Sequence, residues 1–179
     1  MEQMASIDFF VVPTATFRVL FVFVVLSHAR RRVLHFQVTE RPSQEWTMQQ
    51  IREAFPWDHA CPYLLRDRDA TYGGDWVAMT EGLGMEEVIS APRSPWQNPY
   101  VERLIGSIRR ECLDHIIVWN QRSLRRTLQS YFAYYQRSRT LALAKDAPES
   151  RAVAKPERGR VVVIPQGGGL HHRTQRQAA

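Results

Sequence analysis

The apolar and polar positions fall into blocks whose period changes along the chain. Residues 5–12 (ASIDFFVV) and 18–27 (RVLFVFVVLS) are dense in valine and phenylalanine. The second block is apolar on both faces, as a central strand is. Residues 33–39 (VLHFQVT) alternate, with Leu34, Phe36 and Val38 on one face and His35, Gln37 and Thr39 on the other. Short polar links join these three strands, which predicts an antiparallel meander. A helical period follows. Pro42 and Ser43 open the first helix, Ser43 as its N-cap, with Met48, Ile51 and Phe55 on one face. Residues 62–66 (PYLLR) form a fourth strand. Gly73 and Gly74 precede a second helix with Trp76, Met79 and Leu83 on its stripe and Gly84 as its stop. Glu87 to Ser90 forms a fifth strand, and residues 91–98 (APRSPWQN) a proline-rich loop. Asn98 caps a long helix with Pro99 at its first position, where the missing N–H costs nothing. A last helix spans residues 123–137, with Leu124, Leu128, Tyr131 and Tyr135 on one face.

The predicted order is β-β-β-α-β-α-β-α-α. The last two strands are reached through helices, so right-handed crossovers make them parallel. The fold class is α/β, a mixed five-stranded sheet of three antiparallel then two parallel strands with helices packed on it. Residues 4–147 form this core. Residues 148–179 read as a basic C-terminal tail, weakly ordered or docked on the surface, whose short apolar run is Val161 to Ile164.

Composition narrows the classes. A chain of 179 residues can bury a core without disulfides, and 44% hydrophobic content excludes a fully disordered protein. The only cysteines, Cys61 and Cys112, form no metal-binding spacing with the histidines, and two buried thiols in a cytosolic chain are expected. The run Val19 to Leu26 is far short of the roughly 20 residues that span a bilayer. Extending it brings in Asp8, Pro13 and Arg18, and no signal peptide opens the chain. Net charge is +6, and every basic residue except Lys145 and Lys155 is an arginine. Arginine forks match phosphate oxygens, so the bias fits a polyanion partner; a GC-rich genome would produce the same bias.

Three acids stand out by placement. Asp8 lies mid-strand and alternates with Phe10 and Val12, where a carboxylate is costly unless paired or metal-bound. Asp67 lies just past the fourth strand. If strands one and four are neighbours, the two aspartates can face each other, and a cation would relieve their repulsion. In the long helix Val101, Leu104, Ile105, Ile108 and Cys112 make the buried stripe. Glu102 and Arg109 flank it, and Glu102 sits in the first turn, where the helix dipole favours an anion. Oxygen-only ligands of this kind suit Mg²⁺ or Mn²⁺, not zinc. Each acid also has a plain reading: Asp8 paired with an arginine such as Arg18, Asp67 in a surface salt-bridge turn, Glu102 as an ordinary helix N-terminal acid. The combined placement favours a metal site.

The order of elements with these acids resembles the ribonuclease H-like core of retroviral integrases and bacterial insertion-sequence transposases, whose signature is two aspartates and a glutamate. The segment LRDRDATYG is similar to the family's second-aspartate block. The segment APRSPWQNPYVERLIGSIRRE resembles its glutamate block, and YFAYYQRSR (Tyr131–Arg139) its terminal piece. Asp67 and Glu102 are separated by 34 residues, close to the family spacing. The chain departs from the family in lacking a histidine after Arg139, in carrying Gln136 where asparagine is usual, and in offering Asp69 as a rival to Asp67. Seven residues precede Asp8, too few for the helix-turn-helix that finds transposon ends in full-length relatives, so a fragment without its targeting domain is expected.

The resemblance implies Asp8, Asp67 and Glu102 as the catalytic and metal-binding residues of a two-ion site for Mg²⁺ or Mn²⁺, performing DNA strand cleavage and strand transfer. It implies DNA as partner, both transposon ends and target, held by Arg93, Gln97, Asn98, Arg103, Arg109 and Arg110. Arg122, Arg125 and Arg126 add either phosphate contacts or a merely solvated helix face. Trp96 is expected either in a loop beside the site or packed in the core. A homo-oligomer on DNA, an upstream helix-turn-helix polypeptide, no membrane, and a bacterial cytoplasmic, nucleoid-associated location complete the expectation. The alternatives are a degenerate remnant that binds DNA through charge alone and a hydrolytic nuclease on the same fold.

Overall fold

The computed structural model describes residues 3–56, 61–68, 72–92, 94–138, 143, 146–149, 159–166 and 169–177. Five strands form one sheet: β1 (Met4–Pro13), β2 (Val19–Ser27), β3 (Arg32–Thr39), β4 (Tyr63–Arg66) and β5 (Glu86–Ile89), in the order β3-β2-β1-β4-β5. The pairs β1–β2 and β2–β3 are antiparallel, and β1–β4 and β4–β5 are parallel. This is the mixed sheet that the sequence predicts. Four helices pack on it: α1 (Gln44–Ala54), α2 (Gly74–Gly82), α3 (Pro99–Glu111) and α4 (Gln121–Arg137). Among the described residues, no helix is long and apolar enough to cross a membrane.

Alternation along β1 divides the core into two layers. Ala5 and Ile7 join Phe23, Val25, Ile51, Phe55, Leu64 and Trp76 on the α1–α2 side. Phe10 and Val12 join Val22, Val24 and the stripes of α3 and α4 on the other. The α3 stripe is buried as its period predicts, from Val101 to Cys112. On α4, Leu124, Leu128 and Tyr131 are buried as expected, and Phe132 is buried more deeply than Tyr135.

Local signals explain most element ends. Ser43 Oγ accepts the Trp46 amide at 3.2 Å and caps α1. Asn120 caps α4 within a capping box, a cap absent from the sequence reading. Gly84 has φ +73°, the left-handed conformation that stops α2.

Two features differ from the sequence expectation. The alternation of β3 breaks at Leu34. The β2–β3 register shifts between Val25 and Leu26, which pair with His35 and Val33, so Leu34 is the extra residue of a bulge. Leu34 therefore packs on the α1–α2 side, while Val33, Phe36 and Val38 face α3 and α4. The described C-terminal residues take the docked form of the expected tail, but as a strand pair that the sequence reading did not include. Strands β6 (Arg160–Gln166) and β7 (His171–Gln177) pair as an antiparallel hairpin apart from the main sheet. His171 anchors it: Nε2 lies 2.8 Å from the Glu111 carbonyl, and the ring stacks on Tyr134 at 4.3 Å. Arg30 holds the preceding segment, with Nη2 2.5 Å from Asp146 Oδ2 and Nε 3.0 Å from the Pro148 carbonyl.

Candidate active site

The parallel pairing of β1 with β4 puts the strand that holds Asp8 beside the strand that Asp67 follows. Met4 is level with Tyr63, Ala5 with Leu64 and Ser6 with Leu65. The ladder ends there: Asp8 lies two residues further along β1, on the face that carries Phe10, Val12 and α3, and Asp67 lies two residues past Leu65, one beyond the end of β4. Neighbouring parallel strands run about 4.8 Å apart. Asp8 is half-buried mid-strand, and its Oδ1 accepts the Phe9 amide at 2.7 Å. Asp67 is exposed just past β4. Arg18 pairs with Glu40 at the surface, at 3.1 Å.

Helix α3 is tied along β1 at two points. Asn98 Nδ2 donates to the Ile7 carbonyl at 3.3 Å, and Arg109 Nη2 approaches the Val11 carbonyl at 3.5 Å. Glu102 stands one turn in from Asn98, its amide bonded to the Asn98 carbonyl at 3.2 Å. The first turn of α3 thus starts beside the strand residue that precedes Asp8. Glu102 is exposed on the flank of the helix, off its buried stripe. The donor set is oxygen-only, which fits a hard divalent cation. Among the described residues, however, no three His, Cys, Asp or Glu side chains are grouped so as to hold one metal ion.

The other expected site residues divide. Arg103, Arg109 and Arg110 are exposed on α3. Gln97 is exposed, and its Oε1 accepts the Ala91 amide at 2.6 Å, closing the loop before α3. Asn98 is only 5% exposed. It makes no side-chain cap, and its amide braces β1 instead of facing solvent. Trp96 is 70% exposed, which removes its core reading. Asp69, Arg93 and Arg139 lie outside the described residues. The groove between α2 and β5, lined by Val77, Thr80, Met85 and Ile89, includes none of the three carboxylates.

Two clusters beside the site were not singled out in the sequence. On one side of the sheet, Arg66 and Glu87 form a buried pair, Nη2 to Oε2 at 2.7 Å and Nε to Oε1 at 3.2 Å. On the other, His28 Nε2 bonds Ser6 Oγ, and its ring meets Tyr100 edge-on at 4.7 Å. The Arg31 guanidinium lies 3.1 Å over that tyrosine. Burial, and after it the Arg31 charge, pull the His28 pKa down to about 4. Such long-range pairs leave no local sequence signal.

The sheet order and the helices packed on it make a ribonuclease H-like fold of the kind found in integrase and transposase catalytic domains. Within it, residues 83–140, which hold α3, α4 and Glu102, match the integrase core domain family. The chain is similar to a chain of the simian T-cell lymphotropic virus intasome in complex with PP2A regulatory subunit B56 gamma, at 12% identity and a TM-score of 0.69. That likeness covers 97% of this chain and 66% of the other, so this chain spans just under two thirds of that relative. It is similar to the catalytic domain of Mos1 mariner transposase at 16% identity and a TM-score of 0.63, over 74% of this chain and 70% of that one. It is also similar to the HTLV-2 integrase catalytic core domain in complex with magnesium, at 8% identity and a TM-score of 0.63, over 82% and 93%. No curated protein matches the sequence. At these identities the structural likeness is one of fold.

Proposed function

We propose that this chain is the catalytic core of a DDE-type transposase or integrase, a polynucleotidyl transferase that cuts and joins DNA strands. The observation that most supports the reading is the parallel β1–β4 pairing, which sets the strand of Asp8 beside the strand that ends one residue before Asp67. Mg²⁺ or Mn²⁺ is the cofactor this reading assigns, two ions per site being the form that the family resemblance implies.

Asp8, Asp67 and Glu102 would hold the ions. Asp8, on β1, and Asp67, just past the neighbouring β4, would be the inner pair. Glu102, exposed in the first turn of α3, would complete the set. Bound there, the ions supply Lewis-acid activation and charge neutralisation at a phosphodiester. In the cleavage step a water oxygen attacks phosphorus and a 3′-hydroxyl leaves. In the joining step that 3′-hydroxyl attacks a second phosphodiester and displaces another. Neither step needs a covalent enzyme intermediate. Arg103 and Arg110 on the exposed side of α3 would neutralise flanking phosphates, with Arg109 two turns along from Glu102 on the same flank. Helix α3 would thus supply one carboxylate and three exposed arginines from a single element.

The test incubates the protein with Mn²⁺ and a labelled duplex that carries a recessed 3′ end. Nicking and joined products are expected from the parent and from neither Asp67→Asn nor Glu102→Gln. Nicking without joining would make the chain a hydrolytic nuclease. Binding without either product would make it a degenerate remnant.

A further inference from the structure

We propose that Arg66 is a positioning residue which, clamped by Glu87, fixes the backbone at Asp67 where the chain leaves β4. This rests on the reading of Asp67 as a metal-binding carboxylate. The ladder between β1 and β4 ends at the Ser6–Leu65 pair. Two residues later the chain must still present Asp67 at a defined point, and the Arg66 side chain supplies a hold. Its Nη1 donates to the Asp67 carbonyl at 3.0 Å. Its Nε and Nη2 are committed to Glu87, and its guanidinium lies 4.7 Å from the Tyr72 ring centroid. Glu87 is fixed in turn by β5 and α2: Trp76 Nε1 donates to its Oε1, and Thr80 Oγ1 lies 3.4 Å from the same atom. The two side chains are 7% and 11% exposed.

A buried ion pair is weak evidence for stability, since apolar or neutral replacements often serve as well. Its geometry here explains its presence differently. Arginine offers a rigid planar fork with donors pointing in several directions. Two sides of that fork meet Glu87 and the third meets the backbone of Asp67. Strand alternation sends the Arg66 side chain toward α2 and Asp67 toward the α3 face. The brace therefore acts from behind the sheet, through the backbone, without touching the space in front of the carboxylates. Partners that orient a ligand are typically worth tenfold to a hundredfold in metal affinity.

The test measures the melting temperature against Mn²⁺ concentration for the parent, Asp67→Asn, Arg66→Lys and the double variant Arg66→Met/Glu87→Gln. Far-UV circular dichroism checks each fold. Lysine keeps the charge opposite Glu87 but has no fork to reach the Asp67 carbonyl as well. In the double variant, Glu87→Gln keeps an acceptor for Trp76 while both charges go. The parent should be stabilised by Mn²⁺ and Asp67→Asn should not. Both Arg66 variants should remain folded and need about tenfold more Mn²⁺ for the half-maximal shift, the loss of about one charge-assisted hydrogen bond. If the double variant does not fold, Arg66→Lys carries the test alone. Folded Arg66 variants that respond at the parent's midpoint would overturn the inference and leave the metal reading standing. A parent that ignores Mn²⁺ would sink the metal reading, and the inference with it.

Discussion

Mild acid should destabilise this protein through one buried side chain, His28. The ring is 8% exposed, with Nε2 on Ser6 Oγ and Nδ1 buried without a hydrogen-bond partner among the described residues. Tyr100 covers it edge-on, and Arg31 is the charge beside it. Both burial and that cation disfavour imidazolium, so the folded pKa falls from 6.5 to about 4. Between these values the unfolded chain binds a proton that the folded chain refuses. Stability from this residue is therefore complete above about pH 6.5 and is lost as the pH falls toward 4. At about 1.4 kcal/mol per pH unit, the loss approaches about 3 kcal/mol. His28→Gln abolishes the titration and keeps a polar group for Ser6. Urea denaturation of both proteins between about pH 7 and pH 4 is the assay, because the carboxylates titrate in both and cancel in the difference. The stability of the parent relative to His28→Gln should fall by about 2–3 kcal/mol across that range. A difference that stays constant with pH would refute the argument.

Three further outcomes follow from the packing. Leu104→Ala, which removes a fully buried α3 side chain from the core, should cost about 2–5 kcal/mol in chemical denaturation; a loss well under 1 kcal/mol would mean that α3 does not seat on the sheet as described. Asn98→Ala leaves the Ile7 carbonyl without its 3.3 Å donor and should cost about 1–3 kcal/mol. Amide exchange in the first turn of α3 should quicken, and unchanged protection there would show that the brace is idle. Arg109→Ala should reduce the slope of log DNA affinity against log salt by about one, and an unaltered slope would remove Arg109 from the phosphate contacts.

What was legible in the sequence is what local periodicity encodes. The strands and the α3 stripe follow from spacing alone, and the right-handed crossover rule supplied the parallel pair. The neighbourhood of Asp8 and Asp67 was legible only conditionally, because it depends on β4 pairing with β1 and not with β3. Two of the misses share a cause: their partners are far away in the chain. Asn98 is the N-cap residue of α3, with Pro99 first in the helix as read, but its side chain makes no cap bond and its amide bonds Ile7, 91 positions earlier. Arg66 and Glu87 are 21 apart and meet only through the β4–β5 register. The bulge at Leu34 breaks a period of two without a glycine or proline to mark it. The hairpin escaped because β7 (HHRTQRQ) contains no apolar residue. Its alternation is invisible to a hydrophobic pattern, and its docking runs through His171.

The two faces of the sheet would divide the labour of the proposed site. On β1, Ile7 faces the α1–α2 core, and Asp8 alternates with it on the face of Phe10 and Val12; on β4, Leu64 faces the α1–α2 core, and Asp67 follows the end of the strand. Odd and even positions thus carry different burdens. Residues toward α1 and α2 are apolar or, like Arg66, buried in a fixed network, and they set the height of each strand. Residues toward α3 pass from apolar to acidic at the sheet end where that helix begins. A carboxylate is costly in a core and far less so at its margin. Asp67 and Glu102 stand exposed, and only Asp8 bears partial burial, with the Phe9 amide on its Oδ1. On the proposed reading the site would draw its geometry from one face and its solvation from the other, and precision at Asp67 would be set behind the sheet, clear of the side open to a phosphodiester.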